Sequence, residues 1–185
     1  MEKYLSMKNG ASFLLKTAED SDAAALAAHL KQAGGESNFL SFGAEDCPYT
    51  EQSTLEMIRK AQSGRLGLVL LAYADEVLAG ELFLFAGSRK RFQHVGELGI
   101  SVLKDYWACG IGTALMTEAL RIADEDIGFD SIRLETDADN RIAQHLYRNF
   151  GFADCGRYER ASFYDGGYHA VLTMNRYRRS TEETQ

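Results

Sequence analysis

The sequence predicts an α/β protein, a mixed sheet with helices on both faces, and three observations carry that reading. Short runs rich in leucine, β-branched and aromatic residues alternate with segments whose apolar residues recur at helical spacing. Two such runs, 66–73 and 77–85, are separated only by Ala74, Asp75 and Glu76, a hairpin spacing that makes the pair antiparallel. A strand, helix, strand unit over 97–136 in turn demands a parallel pair in the same sheet.

Taken in order, the first run, 13–17, is apolar and leads into Ala18, Glu19, Asp20 and Ser21. These supply caps for a helix over about 22–33 with Leu26 and Leu30 on one face. Thr50 begins a second helix, with Leu55 and Ile58 inward and its end near Gly64. The hairpin at 66–85 follows, then a strand over 93–103. A helix over 110–126 repeats Ile111, Leu115, Ala119 and Ile122 at helical spacing. Residues 131–136 read as a strand, and 140–150 as a short helix with Ile142, Leu146 and Phe150 four apart, closed by Gly151. Two last strands, near 152–164 and 168–176, flank the Asp165-Gly-Gly167 turn. The expected order is β-α-α-β-β-β-α-β-α-β-β.

Composition narrows the function. The 185 residues are 45% hydrophobic, and 20 basic against 27 acidic residues leave a net charge of −7. That is the profile of one globular domain, 1–185, with a polar tail over 178–185 and a chain long enough to hold a core without disulfides or a structural metal. No lysine and arginine cluster suits wrapping of nucleic acid. The longest apolar run is far too short to cross a bilayer, and no signal-peptide core follows the N-terminus. Three widely spaced cysteines, Cys47, Cys109 and Cys155, with no Cys-x-x-Cys pair or zinc-ligand spacing, suit a reducing cytoplasm and offer no metal site.

The chemistry concentrates in Tyr106-Trp-Ala-Cys-Gly-Ile-Gly-Thr-Ala-Leu115, where a glycine pair lies between a strand and the start of an amphipathic helix. Glycines there let backbone N–H groups approach an anion, and the helix N-terminus adds about half a positive charge, so a phosphate is the expected guest. The third glycine of a dinucleotide fingerprint is missing, as is the Gly-Lys-Ser/Thr ending of a triphosphate loop. A helix entrance whose glycines merely relieve crowding is the competing reading.

This stretch resembles the GNAT acetyltransferase superfamily, whose glycine motif, Gln/Arg-x-x-Gly-x-Gly/Ala, follows an Ile-x-Val strand end. Here Ile100-Ser-Val102 precedes Trp107-Ala-Cys-Gly110-Ile-Gly112, with Trp107 in place of Gln or Arg. A second block, Asn140-Arg-Ile-Ala143-Gln-His-Leu146-Tyr147-Arg-Asn-Phe-Gly151-Phe152, is similar to the family's Asn-x-x-Ala-x-x-Leu-Tyr-x-x-x-Gly-Phe. Asp165-Gly-Gly-Tyr168 with Met174 resembles its C-terminal hairpin.

The resemblance implies a GNAT-like fold, acetyl-CoA as cosubstrate with no metal, and an amine as acceptor. The strand end Ile100, Ser101 and Val102 would pair with the pantetheine arm, and the N–H groups of Ala108, Cys109, Gly110, Ile111, Gly112 and Thr113 would hold the pyrophosphate. Asn140 and Tyr147 complete the implied cofactor site, and Tyr147 is the implied proton donor to the CoA sulfur. Two carboxylates compete as general base, Glu135 at a strand end and Glu97 on the preceding strand. Each is equally readable as a solvated strand glutamate. The rival to an enzyme is an acyl-CoA-binding sensor or interaction module that has lost catalysis. The acceptor is not legible, although the negative charge leans towards a cationic one, and a homodimer stays open.

Overall fold

The computed structural model describes residues 1–64 and 66–178 and contains one eight-stranded sheet. Strands β1 (Glu2–Ser6) and β2 (Ser12–Thr17) form a hairpin, and helices α1 (Ala23–Glu36) and α2 (Glu51–Gln62) follow. Next come β3 (Gly67–Ala74), β4 (Val77–Ala86) and β5 (Val95–Val102), then α3 (Ile111–Ile122), β6 (Ser131–Asp137), α4 (Arg141–Asn149), β7 (Ala153–Tyr164) and β8 (Gly167–Tyr177). Across the sheet the order is β1-β2-β3-β4-β5-β6-β8-β7. Most of the expected polar tail, 179–185, lies outside the described residues.

The expected order is corrected at its start, where β1 precedes the first expected strand. Its residues, Glu-Lys-Tyr-Leu-Ser, are almost all exposed, because β1 is an edge strand from which only the partly buried Leu5 packs on the core. An edge strand exposed along most of its length carries no hydrophobic alternation to read. The 110–126 helix also ends early: α3 stops at Ile122, and residues Ala123–Ile127 widen into a π turn closed by Gly128 in the left-handed region. No helix among the described residues is long and apolar enough to cross a membrane.

Two apolar clusters cover the two faces. One joins α3 and Tyr147 of α4 to Leu82, Leu84, Leu98, Ile132 and Leu134. The other packs Leu26 and Leu30 of α1 and Ile58 of α2 on Val69, Leu71 and Leu78. Thr50 caps α2 as its sequence position predicts, accepting a hydrogen bond from the Ser53 N–H at 3.2 Å.

The feature that places the site is a gap. The one parallel pair among the described residues, β5 with β6, spans only Val95↔Ser131, Gly96↔Ile132 and Glu97↔Arg133. Beyond it β5 continues along β4 while β6 continues along β8, so the two strands part. At this level α3 presses on β4 through Gly80, where an added Cβ would lie 2.9 Å from Ile111 Cγ2, 3.2 Å from Leu115 Cδ1 and 3.3 Å from Val102 Cγ2. Gly80→Val should therefore destabilise the fold by about 1–3 kcal/mol through overpacking, read as a lower urea midpoint; an unchanged midpoint would contradict this close approach.

Candidate active site

The open edge of β5 is defined by its hydrogen bonds. Leu103 N–H donates to the Ala79 carbonyl of the β4 side at 2.9 Å. By the alternation of an antiparallel ladder, Ser101 also turns its N–H and C=O to β4, while Ile100 and Val102 turn theirs to the gap. One of these groups is already engaged: the Trp107 indole N–H donates to the Val102 carbonyl at 2.7 Å. The sequence gives no sign of this contact, which ties the glycine loop back to the strand end.

The loop itself is shaped for an anion. Ala108 and Gly110 both have positive φ, 61° and 97°, and Gly110 is the N-cap of α3 with no side-chain cap. The first backbone bond of the helix is Ala114 N–H to the Gly110 carbonyl, 3.0 Å, so the N–H groups of Ile111, Gly112 and Thr113 face out of the helix end. At Gly112 the fold would accept a Cβ, with Leu146 Cδ2 no nearer than 3.6 Å, so internal packing does not require glycine there. Cys109 is half-buried, and its carbonyl accepts from the Lys8 N–H at 3.0 Å. That bond brings the turn between β1 and β2 beside the loop. Lys8 Cγ lies 3.8 Å from where a Gly110 Cβ would stand, which adds a lysine absent from the sequence expectation.

Tyr147 is buried on α4, its ring 6.1 Å from that of Phe152, and donates no hydrogen bond among the described residues. Burial, then the charge of Glu81, pushes its phenol well above the ordinary range. Asn140 caps α4, its Oδ1 accepting from the Ala143 N–H at 3.1 Å, and Gln144 bonds the carbonyls of Asp137 and Ala138, so helix and strand end are fixed together. Asp137 accepts from the Tyr164 hydroxyl at 3.1 Å, and His169 Nδ1 lies 3.3 Å from Asp139 Oδ2, which ties this corner to the β7–β8 hairpin. Across the opening, Asn38 donates to Asp165 of the hairpin turn at 2.8 Å.

The two carboxylates expected from sequence are both exposed. Glu97 sits on the closed part of the parallel ladder, exposed and ion-paired with Arg133. Glu135 is exposed on β6, opposite Thr173 of β8. In addition to Asp137, a second buried carboxylate is Glu81 on β4, 1% exposed and opposite Ser101. Its Oε1 lies 2.9 Å from the Ser101 hydroxyl oxygen, and its Oε2 has no partner among the described residues. On the other side of Ser101, His29 Nε2 of α1 lies 2.9 Å from Oγ, and His29 Nδ1 donates to the Leu78 carbonyl at 2.8 Å. Burial pushes the Glu81 carboxyl up to about 8 against the smaller pull of Ser101.

Residues 36–152 match the model of the acetyltransferase (GNAT) family. The chain belongs to that family. It is 30% identical over 107 residues to the L-amino acid N-acetyltransferase AaaT of Escherichia coli (strain K12), a match covering 58% of this chain and 66% of that protein. The chain thus spans just under two thirds of that curated relative. A GNAT acetyltransferase of Streptococcus pneumoniae superposes with a TM-score of 0.84 at 30% identity, covering 90% of this chain and 99% of that one. The acetyltransferase yncA of Salmonella typhimurium, solved with its cofactor acetyl-CoA, shares the fold at 16% identity, with a TM-score of 0.76 over 94% of this chain and 98% of that one.

In this GNAT protein Glu81 makes stability depend on pH. Between its ordinary value, about 4.5, and its folded value, about 8, the folded protein holds a proton that the unfolded chain releases. The stability so contributed is fully present below the lower value and is lost as pH rises through the upper one. The non-titrating variant Glu81→Gln should therefore gain stability relative to the wild type between pH 5 and 8, as compared by urea midpoints. A difference that stays constant over that range would contradict a neutral buried Glu81.

Proposed function

We propose that this protein is an acetyl-CoA-dependent N-acetyltransferase that moves an acetyl group directly from CoA to a primary amine of a small molecule or peptide, with residues 1–185 acting as one domain. The observation that carries the reading is a parted strand pair whose open edge runs into an uncapped, glycine-bearing helix start, with Tyr147 and a buried carboxylate beside it. The outward groups of Ile100 and Val102 suit an extended pantetheine arm laid along β5 as an added strand. Trp107 must share or release the Val102 carbonyl for that pairing to be complete. The N–H groups around 108–113 suit the pyrophosphate, and Gly112 leaves space that only a ligand has reason to use.

Bound acetyl-CoA supplies the activated thioester. Acetylation of an ammonium removes two protons from nitrogen by the time the amide has formed. One returns to the CoA sulfur through Tyr147, whose raised pKa keeps the phenol protonated until a thiolate develops beside it. The other leaves through Glu81, directly or by way of one water. With its pKa near 8, Glu81 is a better matched base at neutral pH than an ordinary carboxylate. The acceptor enters between the 37–50 segment and the 165–167 turn, which the Asn38–Asp165 bond brings together.

Thiol release from acetyl-CoA across a panel of amines tests the reading. At least one amine class should accelerate release, Tyr147→Phe should lower kcat about 100-fold, and Glu81→Gln should lower kcat/KM near pH 7 by a similar factor. An enzyme that no amine accelerates would refute the function. A loss seen in Glu135→Gln or Glu97→Gln, with Glu81→Gln at the wild-type rate, would move the base to that carboxylate.

A further inference from the structure

We infer that Glu81, Ser101 and His29 form a proton relay in which His29 receives the charge that Glu81 removes from the acceptor ammonium, an inference that rests on the acetyltransferase reading with Glu81 as base. The donor and acceptor inventory of the chain supports it. The Leu78 carbonyl can only accept, so His29 Nδ1 carries a hydrogen. In a neutral imidazole Nε2 is then a bare acceptor, which must take the single hydroxyl proton of Ser101. Ser101 Oγ can then only accept from its other side, so Glu81 carries a proton on Oε1.

A second arrangement satisfies every bond as well. Glu81 is ionised, Ser101 donates to Oε1, and Nε2–H donates to Ser101, while Nδ1–H still holds Leu78; His29 is then an imidazolium. Both arrangements contain the same number of protons. An ionised Glu81 beside a neutral His29 contains one fewer and leaves two acceptors facing each other. Glu81, His29 and Ser101 are all buried, so bulk water does not reach the Ser101 hydroxyl to repair that mismatch. The chain is therefore built to pass a proton along its length rather than to lose one.

The transfer balances. An ammonium N–H bond breaks as its proton passes to Oε2, the oxygen left without a partner among the described residues. The proton on Oε1 moves to Ser101 Oγ, and the Ser101 proton moves to His29 Nε2. One positive charge leaves the ammonium and appears on the imidazolium, nothing is oxidised or reduced, and Glu81 ends neutral as it began. The reverse passage to solvent after product leaves resets the chain.

The other titratable groups around it are consistent with this direction. Tyr147 of α4 and Tyr49 of the 37–50 segment both feel the Glu81 charge, and burial keeps both phenols protonated. Cys47 adds to the effect on Tyr49. Burial lowers His29, which keeps it neutral at rest, while Leu78 and, more weakly, Glu36 favour the imidazolium once it forms.

Ser101→Ala and His29→Gln, compared with Glu81→Gln in the full-length protein, test the relay. Near neutral pH kcat/KM should fall about 10- to 100-fold in the first two. It should recover towards pH 10, where alkyl amines with pKa of about 10.4 lose their proton unaided. The solvent-isotope proton inventory should bow in the wild type and become linear in both variants, and nitrogen NMR should find resting His29 as the Nδ1–H tautomer. Wild-type pH profiles and inventories in both variants, with Glu81→Gln impaired, would overturn the relay and leave Glu81 as base. A resting Nε2–H tautomer would overturn it too, in unmodified protein, whatever the folding of His29→Gln. Wild-type turnover in Glu81→Gln would instead remove the base on which the relay depends.

Discussion

The early end of the β5–β6 ladder is the constraint on which the rest of the structure depends. Three residue pairs join these strands, after which β6 is taken over by β8 and β5 keeps only β4. Backbone groups facing a gap in a sheet are costly unless something pairs with them. The crossover through α3 puts a second set of unpaired groups, the first-turn N–H groups, beside the same opening. An extended ligand with an anionic end meets both needs at once.

A second consequence concerns the two faces. α1 covers one face of the sheet and brings His29 to Ser101, while α4 covers the other and brings Tyr147 to the same region. The groups proposed as proton acceptor and proton donor thus come from opposite sides. Glu81 is buried among apolar neighbours and held neutral, whereas Glu97 and Glu135 are exposed.

The parts legible in the sequence are those written as local patterns. The β3–β4 hairpin, the helix start at Thr50, the short helix closed by Gly151 and the glycine pair before α3 each follow from turn and capping chemistry that acts within a few residues. Glu81 is not marked locally as a site residue, because Val77-Leu-Ala-Gly-Glu-Leu-Phe-Leu reads simply as an apolar strand with one charge. Its burial comes from α1, a long-range fact. A usable signal existed, since a lone charge in so apolar a run suits a central strand covered on both faces. His29 had one too: it lies three residues after Leu26 and beside Leu30, on the apolar stripe of α1. Nothing local marks Trp107 as the partner of the Val102 carbonyl or Lys8 as a neighbour of the glycine loop.

Residue-resolved amide hydrogen exchange with and without acetyl-CoA tests most directly whether the gap is the cofactor site. The Ile100 and Val102 amides face the gap, while the Ser101 amide faces β4. Acetyl-CoA should slow exchange at Ile100, Val102, Gly112 and Thr113 and leave Ser101 unchanged. Saturating acetyl-CoA with no added protection at Ile100 and Val102 would contradict the assignment.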